Sequence, residues 1–276
     1  MKILTIQDIS CVGQCSLTVA LPIISAFGVE TCILPSAVLS THTYGFSGYT
    51  FRDLTDDIPA IIKHWQKENI SFNAIYTGYI GNKKQIDYIL EMNEKLSAKD
   101  SLLIVDPAMA DYGKLYYGFD LAFVEEMKKL VKNADYVLPN ITESAFLLGE
   151  EYIEKNHTKE YIEKLCVGLY NLGAKKVVLK GVSFDEDTLG VATYDGNKVE
   201  YYLHERIKKN SHGTGDVYAS CFTGALLSGY DLKDSAMHAA NITVKAIKET
   251  VEDETHWYGV KFEKIIPYIT EIAKKQ

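Results

Sequence analysis

An excess of positive charge and long apolar runs are both missing from this 276-residue sequence. The formal net charge is −8 and basic residues form no stripe, which argues against nucleic acid as a partner. No apolar segment reaches the roughly 20 residues that a membrane-spanning helix needs. The chain opens on a strand-like run, Ile3 to Ile6, without the basic and apolar regions of a signal peptide. We therefore expect neither a nucleic-acid-binding protein nor a membrane protein.

Cysteine is sparse, with five residues at positions 11, 15, 32, 166 and 221. Cys11 and Cys15 form a single pair, and no second pair completes a structural zinc site. An odd and sparse cysteine count is typical of reduced thiols, so we expect a cytoplasmic location.

Internal repeats, low-complexity tracts and linkers are absent as well. Hydrophobic residues make up 47% of the chain and charged residues 24%, which is ordinary for a globular protein. The length suits one large α/β domain, and we predict a single domain over residues 1–276.

Short apolar strands alternate with amphipathic helices along most of the chain. The predicted strands are Ile3–Ile6, Glu30–Pro35, Ala74–Thr77, Leu102–Asp106, Tyr136–Pro139 and Lys176–Lys180. The predicted helices are Gln14–Phe27, Asp57–Glu68, Lys83–Leu96, Leu121–Val131, Glu143–Leu148, Lys159–Leu172, Asp216–Ser228 and Ser235–Glu249. This alternation predicts a three-layer α/β/α sandwich around a mostly parallel sheet.

Two later runs break the alternation, Thr188–Tyr194 and Val199–Leu203. They are joined by Asp195-Gly196-Asn197, and an Asp-Gly pair between β-rich runs indicates a hairpin. We therefore predict antiparallel strands at an edge of the sheet.

Polar residues follow most of the predicted strands, where ligands of such sheets bind. Each of them could also serve only as a turn or a helix cap. In chain order they are Asp8, Thr41-His42-Thr43, Thr77-Gly78-Tyr79, Asp106, Asn140 with Glu143, and Lys180-Gly181.

The stretch Gly213-Thr214-Gly215-Asp216 precedes a run of small residues, Ala219 to Leu227. Glycines allow an anion to approach the backbone amides. The unpaired N–H groups of a helix that begins here form an anion site. A carboxylate beside that site repels a phosphate, but it is useful if it acts on a hydroxyl that attacks phosphorus. The pattern indicates a small-molecule kinase, although glycine and aspartate at a helix start also occur as ordinary caps.

A nicotinamide-dependent oxidoreductase would carry its glycine fingerprint directly after the first strand. The turn there reads Asp8-Ile9-Ser10-Cys11-Val12-Gly13 and lacks the three glycines. This class is therefore disfavoured.

The predicted strands and the polar stretches that follow them, taken in their order along the chain, resemble the ribokinase-like superfamily. Within it they resemble the pyridoxal/pyridoxamine kinases, from Ile3 to about Tyr258. The most specific stretches are Leu4–Gln7, Ser40–Thr43, Leu102–Asp111, Pro139–Glu143 and Gly213–Asp216. The resemblance implies ATP as co-substrate, Mg²⁺, stimulation by K⁺ and a homodimer.

The resemblance also implies roles for the matching residues. Asp216 would be the base for the substrate hydroxymethyl group, and the amides of Gly213, Thr214 and Gly215 would stabilise the transferring phosphoryl group. The remaining roles would be Asp106 and Glu143 for Mg²⁺; Asp111, Asn140, Lys180 and Gly215 for ATP; and His42, Thr43 and Tyr79 at the pyridine pocket.

Three segments depart from the pyridoxal kinase pattern. Asp8 stands where many members carry a serine at the ring, and we expect it to bind the substrate. Ala108 and Ala110 lie in a loop where glycine is usual, and Lys180-Gly181 is more familiar from hydroxymethylpyrimidine kinases. A hydroxymethylpyrimidine kinase therefore stays open as the alternative, and a non-catalytic binding protein on the same fold as a further one.

Overall fold

A computed structural model describes residues 1–208 and 212–273. Its strands are β1 (Lys2–Ser10), β2 (Glu30–Leu39), β3 (Phe51–Asp53), β4 (Phe72–Thr77), β5 (Ser97–Val105), β6 (Ala110–Asp111), β7 (Lys114–Leu115), β8 (Tyr136–Val137), β9 (Val177–Val182), β10 (Thr188–Tyr194) and β11 (Val199–Glu205). Its α-helices are α1 (Leu17–Ala26), α2 (Ile58–Lys67), α3 (Lys83–Lys95), α4 (Leu121–Lys132), α5 (Ile141–Leu148), α6 (Lys159–Leu172), α7 (Thr214–Leu227), α8 (Leu232–Val251) and α9 (Ile266–Ala273).

One large sheet runs through the described residues in the order β11-β10-β9-β8-β5-β4-β1-β2-β3. The pairings from β2 through β1, β4, β5 and β8 to β9 are parallel. β10 and β11 extend one edge in antiparallel fashion, and β3 does so at the other edge. The predicted parallel sheet and its antiparallel hairpin are confirmed, whereas β3 was not predicted.

Helices cover both faces of the sheet. One apolar core joins the sheet to α2, α3, α4, α5 and α6, and the other joins it to α1, α7, α8 and α9. Ile3 of β1 packs in the second core, while Leu4 and Ile6 pack in the first. Because β1 is buried on both faces, apolar residues occupy consecutive positions in it, Ile3 and Leu4, instead of only every second position. The predicted three-layer sandwich is confirmed.

The first strand and the first helix differ from their predicted bounds. β1 runs to Ser10, so Asp8 lies inside the strand rather than after it. The pairing with β2 continues to Ser10 past a register shift between Gln7 and Ile9, which a count of apolar residues does not reveal. α1 begins at Leu17 instead of Gln14, because residues 13–16 form a turn that leads into the helix.

The described part of the chain contains no helix that is both long and apolar enough to cross a membrane. The single domain over residues 1–276 stays a prediction.

Candidate active site

The glycine-rich turn forms the start of α7. Gly213 has a left-handed backbone with φ 78°, the helix begins at Thr214, and no described side chain caps it. A β-carbon on Gly213 would lie 2.2 Å from the backbone oxygen of Gln14, so only glycine fits. A β-carbon on Gly215 would meet no atom within 4 Å, so this side of the turn is open. The turn therefore presents the positive end of the helix dipole to an open space that suits an anion.

Asp216 lies in the first turn of this helix. Burial raises the pKa of its carboxyl group to about 7, and the negative charges of Asp106 and Asp8 add to the shift. A backbone N–H of Ser16 opposes the rise by interacting with the carboxylate. A carboxyl group with a pKa near neutrality suits a general base that must accept a proton and release it again.

Asp8 is buried at the end of β1 that faces this turn. The Ser10 hydroxyl donates a hydrogen bond to its Oδ2 at 3.0 Å. Burial raises the pKa of Asp8, while the hydroxyls of Ser16 and Ser10 oppose the rise. An ionised carboxylate has about four acceptor sites, so the two hydroxyls leave capacity for a further donor such as a group of a ligand.

Lys180 of β9 reaches across the sheet to Asp106, which directly follows β5. Its Nζ lies 2.7 Å from Oδ2 of Asp106, and both side chains are largely shielded from solvent. The other carboxylate oxygen, Oδ1, is buried without a partner among the described residues. This oxygen is therefore available to accept a hydrogen bond or to bind a cation.

Glu143 and Asn140 form a capping box at the start of α5. Asn140 accepts the Glu143 N–H at 2.8 Å, and Glu143 accepts the Asn140 N–H at 2.8 Å. The second Glu143 oxygen accepts the Met109 N–H at 3.3 Å. Burial raises the pKa of Glu143 to about 8; Lys180 opposes this rise and Asp106 adds to it.

The residues predicted to serve magnesium fit an ion that is only partly held by protein. Within the described ranges no group of three or more histidine, cysteine, aspartate or glutamate side chains could hold a metal. Mg²⁺ in nucleotide sites commonly takes one or two carboxylates and fills its other positions with water and phosphate oxygens. The unpartnered Oδ1 of Asp106 suits such a ligand, and the bonded oxygens of Glu143 suit contact through water.

Asp111 lies on the short hairpin formed by β6 and β7. Partial burial raises the pKa of its carboxyl group, while the Tyr112 N–H and the charge of Lys180 oppose the rise. Tyr116, which follows the hairpin, was not predicted as a site residue. Burial raises its pKa well above the usual value, and the carboxylates of Glu143 and Asp111 add to the rise. The hydroxyl of Tyr116 therefore lies near the carboxylates of Glu143 and Asp111.

The residues predicted for the pyridine pocket come from two loops. Thr43 is exposed in the loop after β2, and Tyr79 is half-buried after β4. Burial raises the pKa of Tyr79 to about 12, and nearby Asp8 contributes to the rise. The Tyr79 ring stacks on Phe119 with centroids 5.5 Å apart. An aromatic face and a carboxylate therefore lie on the same side of the site.

His42 lies beside Thr43, but both of its ring nitrogens are occupied within the protein. The Tyr44 N–H donates to Nδ1 at 3.2 Å, and Nε2 lies 2.8 Å from the backbone oxygen of Tyr258. Neither nitrogen is free for a ligand.

A polar cluster beneath the site was also missed by sequence reasoning. Gln7, Tyr76 and Ser220 are fully buried, and each has an oxygen without a partner in the described structure. Tyr76 comes from β4 and Ser220 from α7, one helical turn beyond Asp216. In the sequence Tyr76 reads as an ordinary apolar strand residue, so no local signal marks this cluster.

The fold is shared with known kinases. The chain belongs to the phosphomethylpyrimidine kinase family, whose model matches residues 21–260. A Bacteroides thetaiotaomicron protein assigned as a phosphomethylpyrimidine kinase and crystallised with pyridoxal is 36% identical. The structures superpose with a TM-score of 0.91, covering 97% of this chain and 95% of that one.

Two further relatives are pyridoxal kinases. The enzyme from Lactobacillus plantarum is 31% identical with a TM-score of 0.91, covering 100% of this chain and 98% of that chain. The enzyme from Dictyostelium discoideum is 26% identical, covering 90% of this chain and 86% of its own. The prediction of a kinase with the ribokinase-like fold is confirmed.

Proposed function

We propose that this kinase transfers the γ-phosphoryl group of ATP to the hydroxymethyl group of a pyridoxal-type vitamer. The observation that carries the proposal is Asp216, a carboxyl group with a pKa of about 7 beside an open helix start. The pyridoxal in the related Bacteroides thetaiotaomicron crystal structure supports the choice of substrate. The pairing of Asp8 with an aromatic face at Tyr79 suits a heterocycle that carries a hydroxyl or a protonated nitrogen.

In the proposed reaction, the hydroxymethyl oxygen attacks the γ-phosphorus while its proton passes to Asp216. The bond from phosphorus to the bridging oxygen then breaks and ADP leaves. The amides at Gly213, Thr214 and Gly215 stabilise the charge on the transferring group. Lys180, Asn140 and Asp111 lie at the rim where the nucleotide phosphates would approach.

The alternative is a hydroxymethylpyrimidine kinase. The match to the phosphomethylpyrimidine kinase family supports this alternative. Its substrate also offers a hydroxymethyl group on an aromatic nitrogen ring. An ATP-consumption assay with pyridoxal, pyridoxamine and hydroxymethylpyrimidine separates the two. The proposal requires the highest kcat/KM with a pyridoxal-type vitamer, and turnover with hydroxymethylpyrimidine alone would overturn it.

Magnesium is expected to be required. Asp106 and Glu143 would hold the ion, which supplies positive charge against the phosphates when bound. We expect excess chelator to lower turnover by roughly tenfold or more, and added Mg²⁺ to restore it. The Asp106→Asn variant should need more Mg²⁺ for half-maximal activity. Full turnover in excess chelator would show that the acidic pair serves another purpose.

Replacing Asp8 with serine is expected to change which substrate is preferred. Loss of a buried carboxylate removes an acceptor for a ring hydroxyl or a protonated nitrogen, so relative kcat/KM among vitamers should shift by roughly tenfold. The KM for ATP should stay nearly unchanged. Steady-state kinetics with pyridoxal, pyridoxine, pyridoxamine and hydroxymethylpyrimidine measure the effect.

Asp135→Ser is the matched control for Asp8→Ser. The Asp135 carboxylate is also mostly shielded, but it binds Leu103 N–H and Lys175 near the start of β8. This variant should lose stability without a change of preference. A uniform loss across all substrates in Asp8→Ser would mean that Asp8 does not contact the ring.

A further inference from the structure

His42 connects loops that surround the glycine-rich turn. Its side chain is 3% exposed. Since Nδ1 accepts the Tyr44 N–H, the ring proton must sit on Nε2, which donates to the Tyr258 oxygen at 2.8 Å. The ring is therefore held in the tautomer in which Nε2 is the donor and Nδ1 is the acceptor.

A chain of contacts leads from His42 to the glycine-rich turn. The Tyr258 oxygen that accepts from His42 also accepts the Gln14 N–H at 3.2 Å. The Gln14 side chain bonds onward to His256 and Glu263, each at 2.6 Å. The backbone oxygen of Gln14 is the atom that an added β-carbon on Gly213 would meet at 2.2 Å.

Two further contacts of the His42 ring involve residues next to Gln14 and Gly213. A β-carbon on Gly13 would lie 2.0 Å from the His42 ring, so the turn before Gln14 packs directly on the imidazole. The His42 and His212 rings have centroids 4.4 Å apart, and His212 immediately precedes Gly213. His42 therefore touches the residues on both sides of the contact between Gln14 and Gly213.

We propose that His42 is a positioning residue that holds the turn of Gly213 in place for the γ-phosphoryl group. Its Nε2–H anchors Tyr258, which in turn fixes Gln14 behind the glycine. The inference rests on the proposed function, because it assumes that this turn receives a phosphoryl group. It differs from the expected role of His42 at the substrate ring, since no ring nitrogen is left to contact a substrate.

The test compares His42→Phe with His42→Gln. Phenylalanine keeps a flat ring but removes the donor and the acceptor, so kcat should fall roughly 10- to 100-fold, as expected for a small misplacement of reacting groups. Glutamine carries both a donor and an acceptor and should recover part of this loss. The KM for the vitamer should change little, whereas loss of a direct substrate contact would raise it.

A binding measurement makes the test independent of turnover. The non-hydrolysable analogue AMP-PCP has a γ-phosphonate and ADP has none, so the ratio of their affinities reports on the turn. By isothermal calorimetry, His42→Phe should lose affinity for AMP-PCP several-fold while affinity for ADP stays nearly constant. His42→Gln carries the same comparison if the phenylalanine variant does not fold.

His157→Gln is the matched control. This ring is 4% exposed, accepts the Ser183 N–H at 3.0 Å, and lies 2.9 Å from the Ile153 oxygen. It should lose thermal stability like His42→Gln but keep kcat and the AMP-PCP to ADP ratio. Equal effects at both histidines, or an unchanged ratio in the His42 variants, would overturn the inference. A wild-type protein that binds neither nucleotide would instead overturn the proposed function itself.

Discussion

Replacing Asp216 with asparagine is expected to lower kcat by roughly 100-fold or more while both KM values change modestly. Asparagine preserves the shape of the side chain but cannot take the proton of a hydroxymethyl group. The carboxyl group lies beside an open helix start, and its pKa of about 7 lets it act as a base near neutral pH. Steady-state kinetics across pH 5 to 9 measure the effect; wild-type kcat/KM should fall as the pH drops below about 7.

The same substitution should stabilise the folded protein at alkaline pH. The pKa of Asp216 is raised on folding, from 3.8 to about 7, so between these values the folded state binds more protons than the unfolded state. Stability contributed by this group is therefore lost as the pH rises through that window, and the full penalty remains above it. The thermal midpoint of Asp216→Asn should exceed that of the wild type at pH 8, and the gain should vanish near pH 4.

Asp231→Asn provides the control. Asp231 caps α8, and its side chain accepts the Asp234 N–H at 2.8 Å. Asparagine caps a helix about as well as aspartate, so this variant should leave turnover unchanged. Near-full turnover in Asp216→Asn would remove Asp216 from the proposed mechanism.

The features that were predictable from the sequence are those encoded by short stretches of chain. α6 was predicted with the observed ends because Thr158 caps its start and Gly173 follows its end. The hairpin of β10 and β11 follows from Asp195-Gly196-Asn197, and the glycine-rich turn follows from its own residues.

Contacts between distant segments were not predictable in this way. The pairing of Lys180 with Asp106 joins residues 74 positions apart, and the bond from His42 to Tyr258 joins residues 216 positions apart. The partner of Nδ1, the Tyr44 N–H, lies only two residues away, but nothing in the sequence around His42 reveals Tyr258 as the partner of Nε2. The sequence predicts His42 at the substrate ring, whereas the bond from its Nε2 to Tyr258 depends on how two loops far apart in the chain meet.

Gly213→Ala is expected to have the second large effect, through backbone geometry rather than charge. The residue has φ 78°, and a β-carbon would lie 2.2 Å from a backbone oxygen, that of Gln14. A left-handed conformation costs an alanine about 1–2 kcal/mol relative to glycine. Relief of the clash requires the turn or Gln14 to move, which would misalign the amides that face the phosphoryl group. Loss of one well-aimed amide donor typically lowers kcat by about 100- to 1000-fold, and we expect a reduction on that order.

Gly28→Ala separates strain from displacement. Gly28 has a similar φ of 82°, but a β-carbon there would meet no atom within 4 Å, and the residue follows α1 away from the turn. Gly28→Ala should therefore show the loss of stability that strain alone causes in thermal unfolding. Gly213→Ala should lose at least as much stability and, unlike Gly28→Ala, should also lose turnover and affinity for AMP-PCP. If Gly213→Ala behaves like Gly28→Ala in all three measurements, the Gln14 carbonyl moves far enough to accommodate the added methyl group. The phosphoryl site would then not depend on the close packing of this turn.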